Sequence, residues 1–251
     1  MIKSFEAALT KRTELTHDIN LFNFEIVNDT LQFLAGQYVI MLITFPDGTV
    51  ARRLYSISSE SQNTKSFDLL VKRIPGGMAS NYLAGLPIGG KVSFQGPAGV
   101  FSMKDSDPTK SKVFLATSTG IAPIYSMLRS RILDGVTNEK WYLFWGARTK
   151  NDLHWVKELE EMRRKNPSFK YSFCLSRESD PSQKTMPPEC TLGRIDASFQ
   201  NDILESVKGN TELLNGYEYY ICGSINAVET LRQSLIGEGV EKKNIRSEKF
   251  I

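Results

Sequence analysis

Of 251 residues, only three are cysteine and two are histidine. Cys174, Cys190 and Cys222 are too few and too widely spaced for a disulfide framework. An iron–sulfur cluster needs four protein ligands, usually all cysteine, so three cysteines cannot hold one. His17 and His154 stand far apart in the chain, without metal-ligand spacing, which points to structural roles and to no metal site. No run approaches the roughly 20 apolar residues that cross a bilayer, so no membrane span is expected. The opening MIKSFEAALTKRTEL has no apolar block followed by small residues, so no secretory signal is expected and a cytoplasmic location is the default. Charge of one sign is scarce too: 31 Lys and Arg against 28 Asp and Glu leave +3. No basic run is interleaved with aromatics, which argues against nucleic acid. A diffuse positive balance still suits an acidic protein partner, met under electrostatic steering.

Short apolar or alternating runs fill the first hundred residues. They begin at Phe5, Ile19, Tyr38, Arg52, Phe67 and Lys91, with turn signals at Phe45-Pro-Asp-Gly48 and Pro75-Gly-Gly77. Six short strands at that spacing predict a small antiparallel β-barrel. The polar stretch 103–112, with Pro108, reads as a linker. After it, apolar strands at Val113, Trp141, Tyr171 and Gly216 alternate with helical stretches such as IAPIYSMLRSRIL, DLHWVKELEEMRRK and INAVETLRQSLI. That rhythm predicts βαβ units around a parallel sheet. The fold class is therefore a β-barrel followed by a Rossmann-like α/β half, over residues 1–104 and 105–251.

Several segments carry chemistry-bearing residues. Arg53-Leu54-Tyr55-Ser56 ends a strand: an arginine pairs with phosphate, a tyrosine lies flat on a ring and a serine hydroxyl bonds a ring heteroatom. Arg53 and Tyr55 share one strand face and Ser56 the other, so all three reach one flat ligand only if the strand ends or twists there. The segment reads equally as an edge strand with an exposed arginine. From Val71 a strand runs into Gly76-Gly77-Met78-Ala79-Ser80, where Ser80 is placed to cap a short helix whose free N–H groups suit phosphate; a plain strand–turn–helix fits as well. Gly96-Pro-Ala-Gly99 permits a tight bend at the last barrel strand. Thr117-Ser118-Thr119-Gly120-Ile121-Ala122-Pro123 ends a buried strand and opens a helix, with Pro123 near its first position. This puts a phosphate site at a strand's carboxyl end. Ser176-Arg177 and Gly193-Arg194 follow later strands, where two arginines and a serine can grip a phosphate monoester; a surface pairing of Arg177 with a carboxylate is the other reading. Cys222, in Ile221-Cys222-Gly223, reads alone as a buried, inert thiol. Lys157 to Lys165 reads as a solvated helix face.

In this order the segments closely resemble the ferredoxin–NADP reductase family, from Ala35-Gly36-Gln37-Tyr38 to the last residues. The resemblance implies an FAD-binding barrel and an NADP-binding α/β domain. It implies that Arg53 meets the flavin pyrophosphate, Tyr55 packs on the isoalloxazine and Ser56 sits near N5, with Leu54 and Val71 also in the flavin site. Gly77, Met78, Ala79 and Ser80 match the pyrophosphate loop of FAD binders. Thr119 and Gly120 match the nicotinamide-nucleotide turn, Gly146 and Arg148 a further nucleotide-side element, and Cys222-Gly223 the pair beside the nicotinamide. Ser176, Arg177 and Arg194 look most like bacterial NADP-dependent reductases, whose short aromatic tail Glu248-Lys249-Phe250-Ile251 resembles. Ser118 departs from the family's usual glycine, and Ile251 from its terminal aromatic. The implied activity is electron transfer between NADP(H) and a separate one-electron carrier, a ferredoxin or flavodoxin, with Ser56, Cys222 and Glu248 nearest the chemistry. An NADH-dependent reductase component of an oxygenase or cytochrome system is the alternative. A flavin-binding module without turnover is a third reading, against which the nucleotide-side motifs stand.

Overall fold

The computed structural model describes residues 2–45, 47–136, 138–179, 187, 189–199, 203 and 210–250. They fall into two compact units, Met1–Lys104 with Tyr125–Leu133, and Asp105–Ile124 with Asp134–Ile251.

In the first unit, six antiparallel strands are ordered β4-β3-β6-β1-β2-β5. They are β1 (Lys3–Glu14), β2 (Ile19–Ile26), β3 (Tyr38–Thr44), β4 (Val50–Ser56), β5 (Ser66–Lys72) and β6 (Lys91–Ala98). Alternation sets their inner face: Val39, Met41 and Ile43 of β3 are buried while their neighbours in the strand are less so. The two outermost strands meet at a bridge between Ile57 and Leu69, backed by the Ser58 N–H donating to the Asp68 carbonyl at 2.9 Å. The sheet thus curls so that its two edges meet at this point. Phe5, Phe24, Phe67 and Phe94 form the centre, with Phe94 edge-on to Phe24 and to Phe67 at 5.2 Å between ring centroids. Helix α1 (Met78–Gly85) lays Ala79 and Leu83 on this core.

The second unit holds a parallel sheet ordered β10-β9-β8-β7-β11-β12. Its strands are β7 (Ser111–Thr117), β8 (Trp141–Ala147), β9 (Phe169–Leu175), β10 (Cys190–Leu192), β11 (Tyr217–Ser224) and β12 (Ile245–Phe250). Helices α2 (Ile121–Leu133, of which Tyr125–Leu133 belong to the first unit), α3 (Val156–Lys165), α4 (Ile195–Phe199), α5 (Thr211–Leu214) and α6 (Ile225–Gly237) follow these strands in the chain. Lys112–Ala116 of β7 are buried without alternation, as a strand covered on both faces requires. Helix α3 buries only Leu159 and Met162, and its remaining residues are polar apart from Val156. From β7 the chain builds outward through β8, β9 and β10, then returns to the other flank of β7 with β11. This reversal makes a switch point between the carboxyl ends of β7 and β11. No helix among the described residues is long and apolar enough to cross a membrane.

The two-part fold and the six barrel strands are as the sequence predicts, and several details differ. Residues 103–112 are not all linker, because Ser111 and Lys112 open β7. Lys112 is completely buried, and its ammonium donates to the carbonyls of Lys110 (2.6 Å) and Asp107. It also meets the Glu218 carboxylate at 3.3 Å. Glu218 in turn accepts from the Asp107 N–H (3.2 Å) and pairs with Arg246 (3.0 Å). The polar stretch is therefore fastened to β7, β11 and β12 by a buried charge cluster. Ser80 does not cap α1, since the N-cap is Gly77 and Ser80 is the third helical residue. Its buried hydroxyl accepts from the Ile74 N–H at 3.2 Å and donates to the Gly77 carbonyl at 3.2 Å. Pro123 is the third residue of α2, still in the turn whose N–H groups lack helical partners. Helix α3 begins only at Val156 because Trp155 takes a left-handed φ of 59°. The C-terminal tail is strand β12 through Phe250, and Ile251 and Pro46 lie outside the described residues.

Removing one member of a buried ion cluster leaves its partner's charge uncompensated. Glu218→Ala is expected to lower unfolding stability by roughly 3–5 kcal/mol, read from urea denaturation. A change within error of the parent protein would show that Lys112 finds water or another partner.

Candidate functional site

In the first unit, β4 ends at Ser56, and the next residue, Ile57, already bridges to Leu69. Arg53, Tyr55 and Ser56 all lie within β4 and in register with β3, so Arg53 and Tyr55 share one face and Ser56 takes the other. Arg53 and Tyr55 pair with Met41 and Val39, whose side chains are in the core, so both lie on the inner face at the barrel rim. Tyr55 is half-buried against that core, and burial pushes its phenol up to about 12, against the pull of Arg53. The ring is thus neutral at ordinary pH. The Arg53 guanidinium donates to the Arg52 carbonyl at 2.7 Å and is exposed to solvent. Ser56 is buried and Leu54 exposed, on the opposite face. Tyr55 and Val71 each lie two residues from the Ile57–Leu69 bridge, on strands that run antiparallel there. Beyond Val71 comes the Ile74–Gly77 turn and the start of α1, where Met78 is exposed and Ala79 and Ser80 are buried.

An FAD fits these groups. A cation and the first N–H groups of α1 suit a pyrophosphate. A neutral aromatic edge and a hydroxyl suit a ring system. Ser80 contributes by holding the turn, because its hydroxyl is committed to Ile74 and Gly77.

In the second unit, the switch point is closed by backbone against backbone. A Cβ on Gly120 would fall 2.3 Å from the Cys222 carbonyl oxygen and 2.8 Å from the Gly223 α-carbon. Gly223, at φ 153°, has room for no side chain either, since its Cβ would lie 2.0 Å from Thr117 Oγ1. The Thr117 hydroxyl accepts from the Ser224 N–H at 3.3 Å. Ser118 lies between them at φ 51°. A non-glycine residue in that left-handed region costs roughly 1–2 kcal/mol. The Trp145 indole N–H donates to the Ser118 carbonyl at 3.0 Å.

The register carries further predicted residues to the same end of the sheet. Cys222 is directly opposite Ala116 on one side and Glu248 on the other, and Ser224 is opposite Phe250. Thr119, Gly120, Cys222, Glu248 and Phe250 thus gather around the carboxyl ends of β7, β11 and β12. Burial pushes the Cys222 thiol well above its ordinary range, and the Glu248 charge adds to the shift. This thiol stays protonated and serves as a small packed contact, not a nucleophile. Arg148, Ser176, Arg177 and Arg194 are exposed just past β8, β9 and β10. The Ser176 and Arg177 N–H groups donate to the carbonyls of Ala147 (3.1 Å) and Arg148 (2.8 Å), which ties the two loops together. Glu178 adds a 2.8 Å acceptor for the Lys150 N–H. Arg194 meets Asp196 at 3.5 Å, an exposed pair that a phosphate can displace.

Two contributors escape a reading of residue patterns. Trp145 reads as one more apolar residue of a buried strand, and its role depends on where its N–H lands. Thr117 was visible as part of the turn, but its bond to Ser224 exists only because β11 lies beside β7.

Comparison with known proteins finds family matches in both parts of the chain. Residues 6–103 match the oxidoreductase FAD-binding domain family and residues 114–233 the oxidoreductase NAD-binding domain family. The chain is 32% identical over 248 residues to ferredoxin–NADP reductase B of Sorangium cellulosum, covering 98% of this chain and 97% of that protein. It is 28% identical over 251 residues to the reductase component of propane 2-monooxygenase from Rhodococcus jostii, covering 99% of this chain but 64% of that protein. The fold matches a ferredoxin NADP+ reductase from Neisseria gonorrhoeae, solved with bound FAD and NADP, at a TM-score of 0.82 and 20% identity over 98% of each chain.

The thiols give a test of the electrostatics. Burial and the neighbouring Glu189 push Cys190 up to about 11, so its thiolate is scarce at neutral pH. At pH 8 it is expected to react with Ellman's reagent at about a thousandth of its limiting rate, rising tenfold per pH unit until about pH 11. Cys222 is expected to react only on unfolding. A fast, stoichiometric reaction at Cys222 in the native protein at pH 8 contradicts its placement.

Proposed function

The chain belongs to the ferredoxin–NADP reductase family, and from that premise we propose that it moves electrons between NADP(H) and a separate one-electron carrier protein, a ferredoxin or flavodoxin. The observation that carries this reading is the set of exposed arginines, Arg148, Arg177 and Arg194, past the ends of three neighbouring strands. When bound, the two cofactors supply the redox chemistry: hydride exchange between the nicotinamide and the flavin, and one-electron exchange from the flavin.

The protein's own groups bind and orient. Arg53 and the start of α1 hold the FAD pyrophosphate, with Gly77, Met78 and Ala79 lining the turn and Ser80 bracing it. Tyr55 offers a neutral face to the isoalloxazine, Leu54 and Val71 line its surroundings, and Ser56 places a hydroxyl near N5. Thr119 and Gly120 bring backbone to the nicotinamide nucleotide, with Cys222 packed beside the ring. Glu248 and Phe250 supply a carboxylate and an aromatic ring at the same end of the parallel sheet as Cys222. Ser176, Arg177 and Arg194 grip the ribose 2′-phosphate, which only NADP carries. A cytoplasmic location accords with this reading.

A second reading, an NADH-dependent reductase component, is favoured by the likeness to the propane 2-monooxygenase reductase component. The two readings part at the arginines. The FAD-loaded protein is expected to bleach with NADPH far faster than with NADH. In R177A/R194A that preference is expected to fall by about 100-fold, the equivalent of two charge-assisted contacts at the low end of their range. Faster bleaching by NADH in the parent protein would favour the second reading, and a preference for NADPH untouched in the double variant would show that Arg177 and Arg194 do not grip the 2′-phosphate.

A further inference from the structure

We infer that Trp145 is a positioning residue for the nicotinamide nucleotide: its indole N–H holds Ser118 in the left-handed conformation that shapes the Thr117–Gly120 turn. The inference rests on the reading that this turn receives the nucleotide. Ser118 has φ 51°, in a region that glycine enters freely and a serine does not. Its carbonyl accepts two hydrogen bonds, from the Ile121 N–H at the start of α2 and from Trp145 Nε1 at 3.0 Å. The first is local to the turn. The second comes from another strand and fixes the turn against the sheet.

Trp145 is well placed to act as a fixed donor. It is 1% exposed, and it lies in one lateral row of the sheet with Phe173, Ala116, Cys222 and Glu248. Its ring is edge-on to His154 at 4.6 Å and to Phe173 at 5.8 Å between centroids. His154 is braced in turn by Trp155 at 4.9 Å. A buried indole packed against two rings cannot follow the turn if it relaxes, so the bond acts as a restraint. The pairing also accounts for a serine at this position: the left-handed backbone is supported by a donor from β8 and not by the absence of a side chain.

The test is a double-mutant cycle on the FAD-loaded protein: parent, W145F, S118G and S118G/W145F. KM for NADPH and kcat are measured with ferricyanide as acceptor, and the NADP+ dissociation constant by calorimetry. In the parent background, W145F is expected to raise KM and the dissociation constant about five- to tenfold, the size of one lost hydrogen bond, with kcat within about twofold. In the S118G background the same replacement is expected to raise them less than about twofold, because glycine holds the conformation unaided. An equal penalty in both backgrounds would make Trp145 a packing residue, and no penalty in either would remove its role; both overturn the inference. If W145F does not fold, benzothienylalanine at position 145 keeps the indole shape and lacks only the N–H, and the same two outcomes decide. A parent protein that binds no NADP+ would instead defeat the reading of the turn on which the inference rests.

Discussion

The second unit depends on a contact without side chains. The α-carbon of Gly120 lies against the peptide joining Cys222 to Gly223, and any Cβ there would overlap a carbonyl oxygen. This closeness lets β7 and β11 bring their carboxyl ends together, so the first turn of α2 begins where the strand order reverses. Everything proposed for the nucleotide follows from it. Thr119 and Gly120 offer backbone, Cys222 comes within reach as a protonated thiol, and β12 pairs onto β11 to carry Glu248 and Phe250 to the same end. At the opposite end of these strands, the buried Lys112–Glu218 pair fastens the segment that enters the unit. A doubly wound sheet concentrates polar backbone at one end, and here the other end is closed by charge.

The barrel meets a different constraint with the same economy of parts. An antiparallel sheet has two edges to satisfy, and this one joins them at Ile57–Leu69. The junction follows directly on β4, in which Arg53 and Tyr55 keep one face and Ser56 the other.

Much of this was legible in the sequence because it is periodic. Alternating runs such as YVIMLIT and unbroken ones such as VFLAT announce half-buried and fully buried strands, and the six barrel strands and the main βα units follow. What was not legible depends on neighbours distant in the chain. The strand β10 is three residues long, too short for a period, and the tail forms β12 only because β11 offers an open edge. Ser80 has the chemistry of a cap, but the helix begins at Met78 because Gly77 makes the turn, which leaves the hydroxyl to brace Ile74. Trp145 has the composition of core and the bonding of a site residue. Gly120 and Gly223 stand at predicted strand ends, but the backbone each approaches is set by the neighbouring strand.

The central claim is that bare backbone at the switch point is what receives the nicotinamide nucleotide. Calorimetric titration of NADP+ into the FAD-loaded Gly120→Ala protein tests it most directly, with flavin retention and circular dichroism reporting that the fold survives. The account predicts a folded, yellow protein whose affinity for NADP+ falls by at least about tenfold, since one methyl group must displace the Cys222–Gly223 peptide. A folded variant that binds NADP+ as tightly as the parent would contradict it.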